Sequence, residues 1–134
     1  MTATQALIER YYAAFNRGDW QGMLDCLGDE VAHDINQGGR EIGREVFAGF
    51  LERMQRSYRE RLEDIVVMVS ADGIRAAAEY VVHGQYLADD EGLPPARGQR
   101  YVLPGGAFFD IAGERIVRVT NYYNLNDWIA QVEA

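Results

Sequence analysis

Two side chains in the first 36 residues could together move a proton beside a carbonyl group. They are the phenol of Tyr11, in Arg10-Tyr11-Tyr12-Ala13-Ala14-Phe15, and the carboxyl of Asp34, in His33-Asp34-Ile35-Asn36. A carboxylate can take a proton from the carbon next to a carbonyl, and a phenol can donate a hydrogen bond to the enolate oxygen that forms. That chemistry calls for no metal and no organic cofactor. Each residue also has a plainer use. Tyr11 lies mid-stripe among Leu7, Ile8, Ala14 and Phe15 at helical spacing, with Tyr12 at the edge. A buried phenol needs a hydrogen-bond partner, and a backbone carbonyl would serve. Strand alternation sends Val31, His33 and Ile35 to one face and Ala32, Asp34 and Asn36 to the other, which by itself leaves Asp34 solvated. His33 and Asp34 point apart, so they form no dyad. His33 and His83 are too few and too scattered for a metal site.

The elements that must position these groups follow from periodicity. Thr4 to Arg17 reads as a helix stopped by Gly18, and Asp19 caps a second, short helix through about Leu27 that Gly28 ends. Val31 to Asn36 is a strand turned by Gln37-Gly38-Gly39. A third helix runs from about Gly43 to Gln55, burying Val46, Phe47, Phe50, Leu51 and Met54. Thereafter Arg59–Ser70, Ile74–Leu87, Gln99–Ile111 and Arg115–Tyr123 read as strands, rich in β-branched and aromatic residues. Asp72-Gly73 and Ala112-Gly113 sit at hairpin turns. Asp89 to Gly98 is a polar loop, and a last helix starts near Leu125 with Trp128, Ile129 and Val132 on its apolar side. Helices first and strands afterwards predict an α+β fold, with helices on one face of an antiparallel sheet.

The 134 residues suit one domain, 1–134, able to bury a core without disulfide staples. Cys26 is the one cysteine, which fits a reducing, cytoplasmic setting. There is no run of 18 apolar residues and no signal-like N-terminus, so no membrane partner is expected. A net charge of −8 with no basic stripe argues against nucleic acid. Eight tyrosines suggest a wall that needs both apolar area and hydroxyl groups.

The stretch Arg10 to Asp19, with a tyrosine after an arginine and Asn16-Arg17-Gly18-Asp19 at the helix end, resembles the first-helix motif of ketosteroid isomerases. These belong to the NTF2-like (SnoaL-like) superfamily. Asp29-Glu30-Val31-Ala32-His33-Asp34 is similar to the segment that carries their general base. The resemblance implies Tyr11 as oxyanion donor and Asp34 as base. It also implies an NTF2-like cone, in which a bent antiparallel sheet and helices on its concave face surround a hydrophobic pocket. Strand directions carried over from the family point Tyr80, Asn121 and Tyr123 into that pocket beside Asn36, as substrate-binding groups. The chain departs from the pattern at Gly106, where the isomerases carry a second donor, a neutral aspartic acid, and at Leu51, where a supporting tyrosine is expected. A lost donor costs about 3 kcal/mol of transition-state stabilisation, roughly two orders of magnitude in rate. Polyketide cyclases of the SnoaL type often place an acid at the end of the last strand; here that position is Asn124, which speaks against the cyclase mechanism. Arg40 and Arg44 could steer an acidic ligand, or be solvated.

Three readings therefore compete: a proton-transfer enzyme of ketosteroid isomerase type or a related polyketide cyclase, a non-catalytic small-molecule-binding module, and an interaction domain. The expected partner is a hydrophobic small molecule. A homodimer is also expected, through an outer sheet face made by Ile65 to Val69 with Glu79, Val81, His83 and Gln85. The catalytic pair makes a sharp demand: both groups must open onto one cavity, and an apolar wall must raise the Asp34 pKa.

Overall fold

The computed structural model describes all residues 1–134. Helix α1 (Ala3–Asn16) is capped by Thr2, whose hydroxyl accepts from the Gln5 amide at 3.0 Å. Its face of Leu7, Ile8, Tyr11 and Ala14 is buried, and Gly18 ends it with φ 71°. Asp19 caps α2 (Trp20–Leu24) by accepting from the Gly22 amide at 2.9 Å. The sequence reading carries this helix to Leu27, but the chain is already extended there: β1 covers Leu27–Asp34.

β2 (Arg40–Ile42) was not anticipated. It is a three-residue edge strand without an apolar run, pairing antiparallel with β1 so that Asp34 faces Arg40 and His33 faces Glu41. Short, charged edge strands carry little periodic signal. Helix α3 (Arg44–Ser57) follows. Four long strands then form an antiparallel meander: β3 (Tyr58–Val69), β4 (Arg75–Tyr86), β5 (Arg100–Ala112) and β6 (Arg115–Tyr123). Helix α4 (Leu125–Glu133) ends the chain, capped by Asn124.

The six strands order as β2-β1-β6-β5-β4-β3. β1 lies parallel to β6, which corrects the expectation of a wholly antiparallel sheet. β1 and β6 are joined through β2, α3 and the β3–β4–β5 strands, far more chain than the crossover a parallel pair requires. Register shifts fall between Glu63 and Val66 in β3 and between Asp110 and Ile111 in β5. Asp64 sits there with φ 54°. Bulges of this kind bend a strand, and they curve the sheet around its helices.

The core lies on the concave face. Ile8, Leu27, Phe109, Ile116, Val119 and Val132 are fully excluded from solvent. Asn16, the last residue of α1, fastens that helix to the sheet: its amide donates to the Leu62 carbonyl and accepts from the Leu62 N–H, both at 2.9 Å. No helix is long and apolar enough to cross a membrane.

Candidate functional site on the concave face

Asp34 and Tyr11 do not meet. Along β1, Val31 and His33 are buried against the helices, while Asp34 emerges on the opposite, convex face. There its carboxylate accepts a forked pair of bonds from Arg40, 2.6 Å from Nε and 3.0 Å from Nη2, and a third at 2.5 Å from the Thr120 hydroxyl. The Arg40 guanidinium, helped by Thr120, holds the Asp34 carboxyl down to about 2. The chain of pairs continues along the outer face: Arg118 donates to Thr120 at 2.6 Å and, forked, to Asp110 at 2.8 and 3.0 Å. Tyr11 lies on the other side of the sheet, edge-on to Tyr12 and Phe109 with ring centroids 5.2 and 5.9 Å apart. Burial pushes its phenol up. The expected common cavity and the expected rise in the Asp34 pKa are therefore both corrected. A base needs a free oxygen facing substrate, and Arg40 and Thr120 occupy this one.

The other expected residues fall differently. Tyr80, Asn121 and Tyr123 do stand on the concave face. Asn36 sits at its rim, and its amide is engaged with the Tyr123 main chain, donating to the carbonyl at 2.9 Å and accepting from the N–H at 3.3 Å. It clamps the end of β1 to the end of β6. His33 is the inward neighbour of Asp34. Its ring packs between Phe47 and Phe50, with centroids 4.6 and 4.5 Å away. His33 Nε2 lies 3.3 Å from the Asn121 amide nitrogen, and its Nδ1 is buried without a partner. Burial lowers the His33 pKa, which keeps the ring neutral. In that state Nε2 accepts from Asn121 and Nδ1 carries the proton.

Two cross-strand rows dominate the concave wall. In the first, Tyr80 on β4, Gly105 on β5 and Tyr123 on β6 are direct neighbours. The missing side chain at Gly105 is filled by the Tyr80 ring, whose Cε1 lies 2.8 Å from where a Cβ would be. The residue with no inward side chain is thus Gly105, one place before Gly106, which faces outward. The Tyr12 hydroxyl is buried beside Tyr80 without hydrogen-bond geometry, its ring centroid 5.5 Å from that of Tyr80. Burial raises the Tyr80 phenol to about 12.

The second row is Glu60 on β3, Gly84 on β4 and Tyr101 on β5. The Tyr101 ring crosses over Gly84, and its hydroxyl donates to Glu60 Oε2 at 2.5 Å. Glu60 is half-buried, and desolvation raises its carboxyl despite the opposing hydrogen bond from Tyr101. Trp128 of α4 covers the row, with ring centroids 5.8 Å from Tyr101, 6.0 Å from Tyr58 and 5.0 Å from Tyr86. Glu60 was missed in the sequence, although a signal exists. Tyr58, Glu60 and Leu62 alternate with the charged Arg59, Arg61 and Glu63, so an acid falls on the apolar phase of a half-buried strand.

Two open depressions mark the surface outside the concave wall. One of about 330 Å³ runs past Asp34, Gln37, Arg40 and Tyr122, and one of about 420 Å³ lies over Met68, Ala77, Phe108 and Arg118. Neither includes Tyr11 or Glu60.

The family model of the SnoaL-like domain matches residues 8–119. No curated protein matches the chain. Among solved structures, a candidate polyketide cyclase from Pseudomonas putida is 66% identical, with 98% of each chain covered and a TM-score of 0.95. A second candidate polyketide cyclase, from Xanthomonas campestris, is 63% identical over 97% of this chain and 96% of its own, with a TM-score of 0.94. An NTF2-like protein of unknown function from Burkholderia pseudomallei is 18% identical over the whole of both chains, with a TM-score of 0.80, a likeness of fold alone.

Proposed function

This chain belongs to the SnoaL-like family and has the NTF2-like fold, and from that premise we propose that it is a polyketide cyclase-like enzyme. It would close a ring within an apolar, carbonyl-rich small molecule held against the concave wall. The observation that carries the reading is the gathering there of hydroxyl-bearing rings with partial solvent access. Tyr80, Asn121 and Glu60 are half-buried and Tyr123 is 40% exposed, while the Tyr12 hydroxyl nearby has no partner. Phenols on an aromatic wall suit a planar substrate that carries oxygens, because the ring faces stack and the hydroxyls bond the oxygens. Relatives more than 60% identical over nearly the whole chain are candidate cyclases, which supports this chemistry over steroid isomerisation. The isomerase reading needs Tyr11 and Asp34 at one site, and they lie on opposite faces.

The test uses 2,6-heptanedione, which closes to a cyclic enone when its terminal carbon bonds to the far carbonyl and water leaves. The protein is expected to speed the rise of enone absorbance above the buffer rate, and 2-naphthol is expected to inhibit by occupying the wall. Saturable 2-naphthol binding without any turnover would favour the second reading, a non-catalytic binding module. The absence of both binding and turnover would discard the two together.

We propose a homodimer through the convex face as part of the same reading. Val66, Met68, Phe108 and Tyr122 stand there about half exposed, and the Phe108 and Tyr122 rings meet edge to face at 5.8 Å. Arg118, Asp110 and Arg75 border this patch, giving the apolar centre and polar rim of a moderate interface. His83 pairs with Glu63 at 2.7 Å on the same face. Sedimentation is expected to give twice the chain mass at micromolar concentration, and Phe108→Glu to give the single chain. A wild-type protein that sediments as a monomer removes the interface.

A further inference from the structure

The geometry points to Glu60 as the group that exchanges a proton with the substrate of the concave wall, with Tyr101 as the residue that positions it. The inference rests on the reading of that wall as the site and supplies what that reading lacks. The acid expected at the end of the last strand is absent: Asn124 stands there, and its side chain caps α4 by accepting from the Asp127 N–H at 3.0 Å. Asp34 is bound into the outer face. His33 is enclosed by Phe47 and Phe50 with 1% of its surface exposed. Glu41, opposite His33 on β2, also faces inward, but its Oε1 is buried away from solvent. Glu60 is the inward carboxyl that stands in the row with Tyr101 and keeps an oxygen open.

The two oxygens of Glu60 are treated differently. Oε2 accepts from the Tyr101 hydroxyl, while Oε1 receives no hydrogen bond from the protein and is not sealed from solvent. One oxygen is held and the other is free, which is the arrangement a base requires: orientation fixed, one lone pair available. The groups bearing on it are phenols, namely Tyr101 from β5, Tyr80 from β4 and Tyr123 from β6. Tyr58, its neighbour on β3, gives its own hydroxyl to Asp90 in the 89–98 loop at 2.6 Å. No arginine pairs with Glu60, whereas Asp34 has Arg40 and Asp110 has both Arg118 and Arg75. Without a cation, desolvation dominates and the carboxylate is more basic than a solvated glutamate. A half-buried, desolvated acid without a cation costs stability, and such groups cluster at functional sites.

The step balances without an oxidant or reductant. Oε1 takes a hydrogen from the carbon beside a carbonyl as a proton. The C–H electron pair becomes the carbon–carbon π bond of the enolate, and the carbonyl π pair moves to oxygen, where a phenol of the wall can donate to it. The enolate carbon then bonds to a second carbonyl carbon, and the new alkoxide takes the proton back from Glu60. The cyclised product is an isomer of the substrate.

The probe is 2-tetralone in deuterium oxide, whose α-hydrogens exchange visibly by NMR whether or not any ring can close. The wild-type protein is expected to speed exchange, and Glu60→Gln to slow it by about 100-fold or more, toward the buffer rate. The exchange rate should rise with pH as Glu60 ionises, with a midpoint above the ordinary glutamate value. Tyr101 stabilises the ionised form, so Tyr101→Phe should move that midpoint further up, a shift that a merely structural tyrosine would not produce. Gln keeps the acceptor for Tyr101 and removes a desolvated charge, so Glu60→Gln should melt no lower than wild type at neutral pH.

Exchange that survives in Glu60→Gln overturns the assignment and leaves the cyclase reading standing. Exchange that depends on Glu60 without heptanedione closure sustains the assignment and removes the cyclase. A wild-type protein that does not speed exchange overturns Glu60 as the base. Should Glu60→Gln not fold, the carboxyl-carbon titration of the wild-type protein decides, and a Glu60 midpoint at or below the usual glutamate value overturns the inference.

Discussion

Gly84→Ala is expected to lower the free energy of unfolding by about 1–5 kcal/mol, a large effect for one methyl group on a strand. A Cβ at this position would overlap the Tyr101 ring and its hydroxyl. The ring cannot step aside: Tyr101 is 2% exposed and Trp128 packs against it. Forcing an extra carbon into a filled site costs about 1–3 kcal/mol. Moving the ring also takes the hydroxyl from Glu60 Oε2, and a buried acceptor left unpaired costs about 1–3 kcal/mol more. Against this stands a gain of about 0.4–1 kcal/mol, because alanine has fewer unfolded conformations than glycine. The steric and polar costs win. Urea denaturation measures the loss, and the cause is separable. With Tyr101 cut back to alanine the new methyl meets no ring, so Gly84→Ala in a Tyr101→Ala background should cost much less than alone, a coupling that a double-mutant cycle reads directly. A single-mutant loss under about 1 kcal/mol would mean that Tyr101 does not lie over Gly84.

That row of three residues shows where sequence reading stops. Local signals did well wherever they were local. Gly18 ends α1, and the hairpin glycines Gly73 and Gly113 have φ of 75° and 55°, as tight turns between strands require. Element order gives the α+β class, and the family resemblance names the fold. The parallel neighbour of β1 carried no such mark, because Asp34 and its partner Thr120 stand 86 positions apart and such pairing leaves no periodic trace; β2 carried none because it is a short, charged edge strand.

The site divides along the same line. Alternation puts His33 inward and Asp34 outward, and the structure agrees with it at both positions. The resemblance carried Asp34 inward instead, and in a strand a shift of one residue exchanges the two faces completely. Glu60 needed the opposite kind of information. Its phase on β3 is readable, but its meaning comes from Gly84 and from Tyr101, 41 positions away. Only the registers β3–β4 and β4–β5 bring these into one row. The tyrosine count hinted at a hydroxyl-lined wall; which hydroxyl reaches which carboxyl is set by the sheet.

Trp128→Ala is expected to cost about 3–5 kcal/mol, the range for removing a buried large aromatic side chain. Trp128 is 4% exposed and sits on Tyr58, Tyr86 and Tyr101 at once. Helix α4 has only nine residues, too few to be stable in isolation, so its place depends on docking. Polar straps share that work. The Gln131 side chain pairs with both main-chain groups of Val102, at 2.9 and 3.0 Å, and Arg97 and Gln99 donate to the Val132 carbonyl at 3.1 and 3.0 Å. These bonds are near the surface, each contributing about 0.5–1.5 kcal/mol net, and they can hold the helix after the indole is gone. The expected variant is therefore folded and weakened, with a gap walled by the rings of Tyr58, Tyr86 and Tyr101. A gap of indole shape between aromatic rings accepts a small aromatic molecule. Added indole should raise the melting temperature of Trp128→Ala and leave that of the wild type unchanged. If instead the loss is below about 1.5 kcal/mol and indole has no effect, α4 is not seated on the tyrosines in solution. The wall that holds Glu60 would then be open from that side.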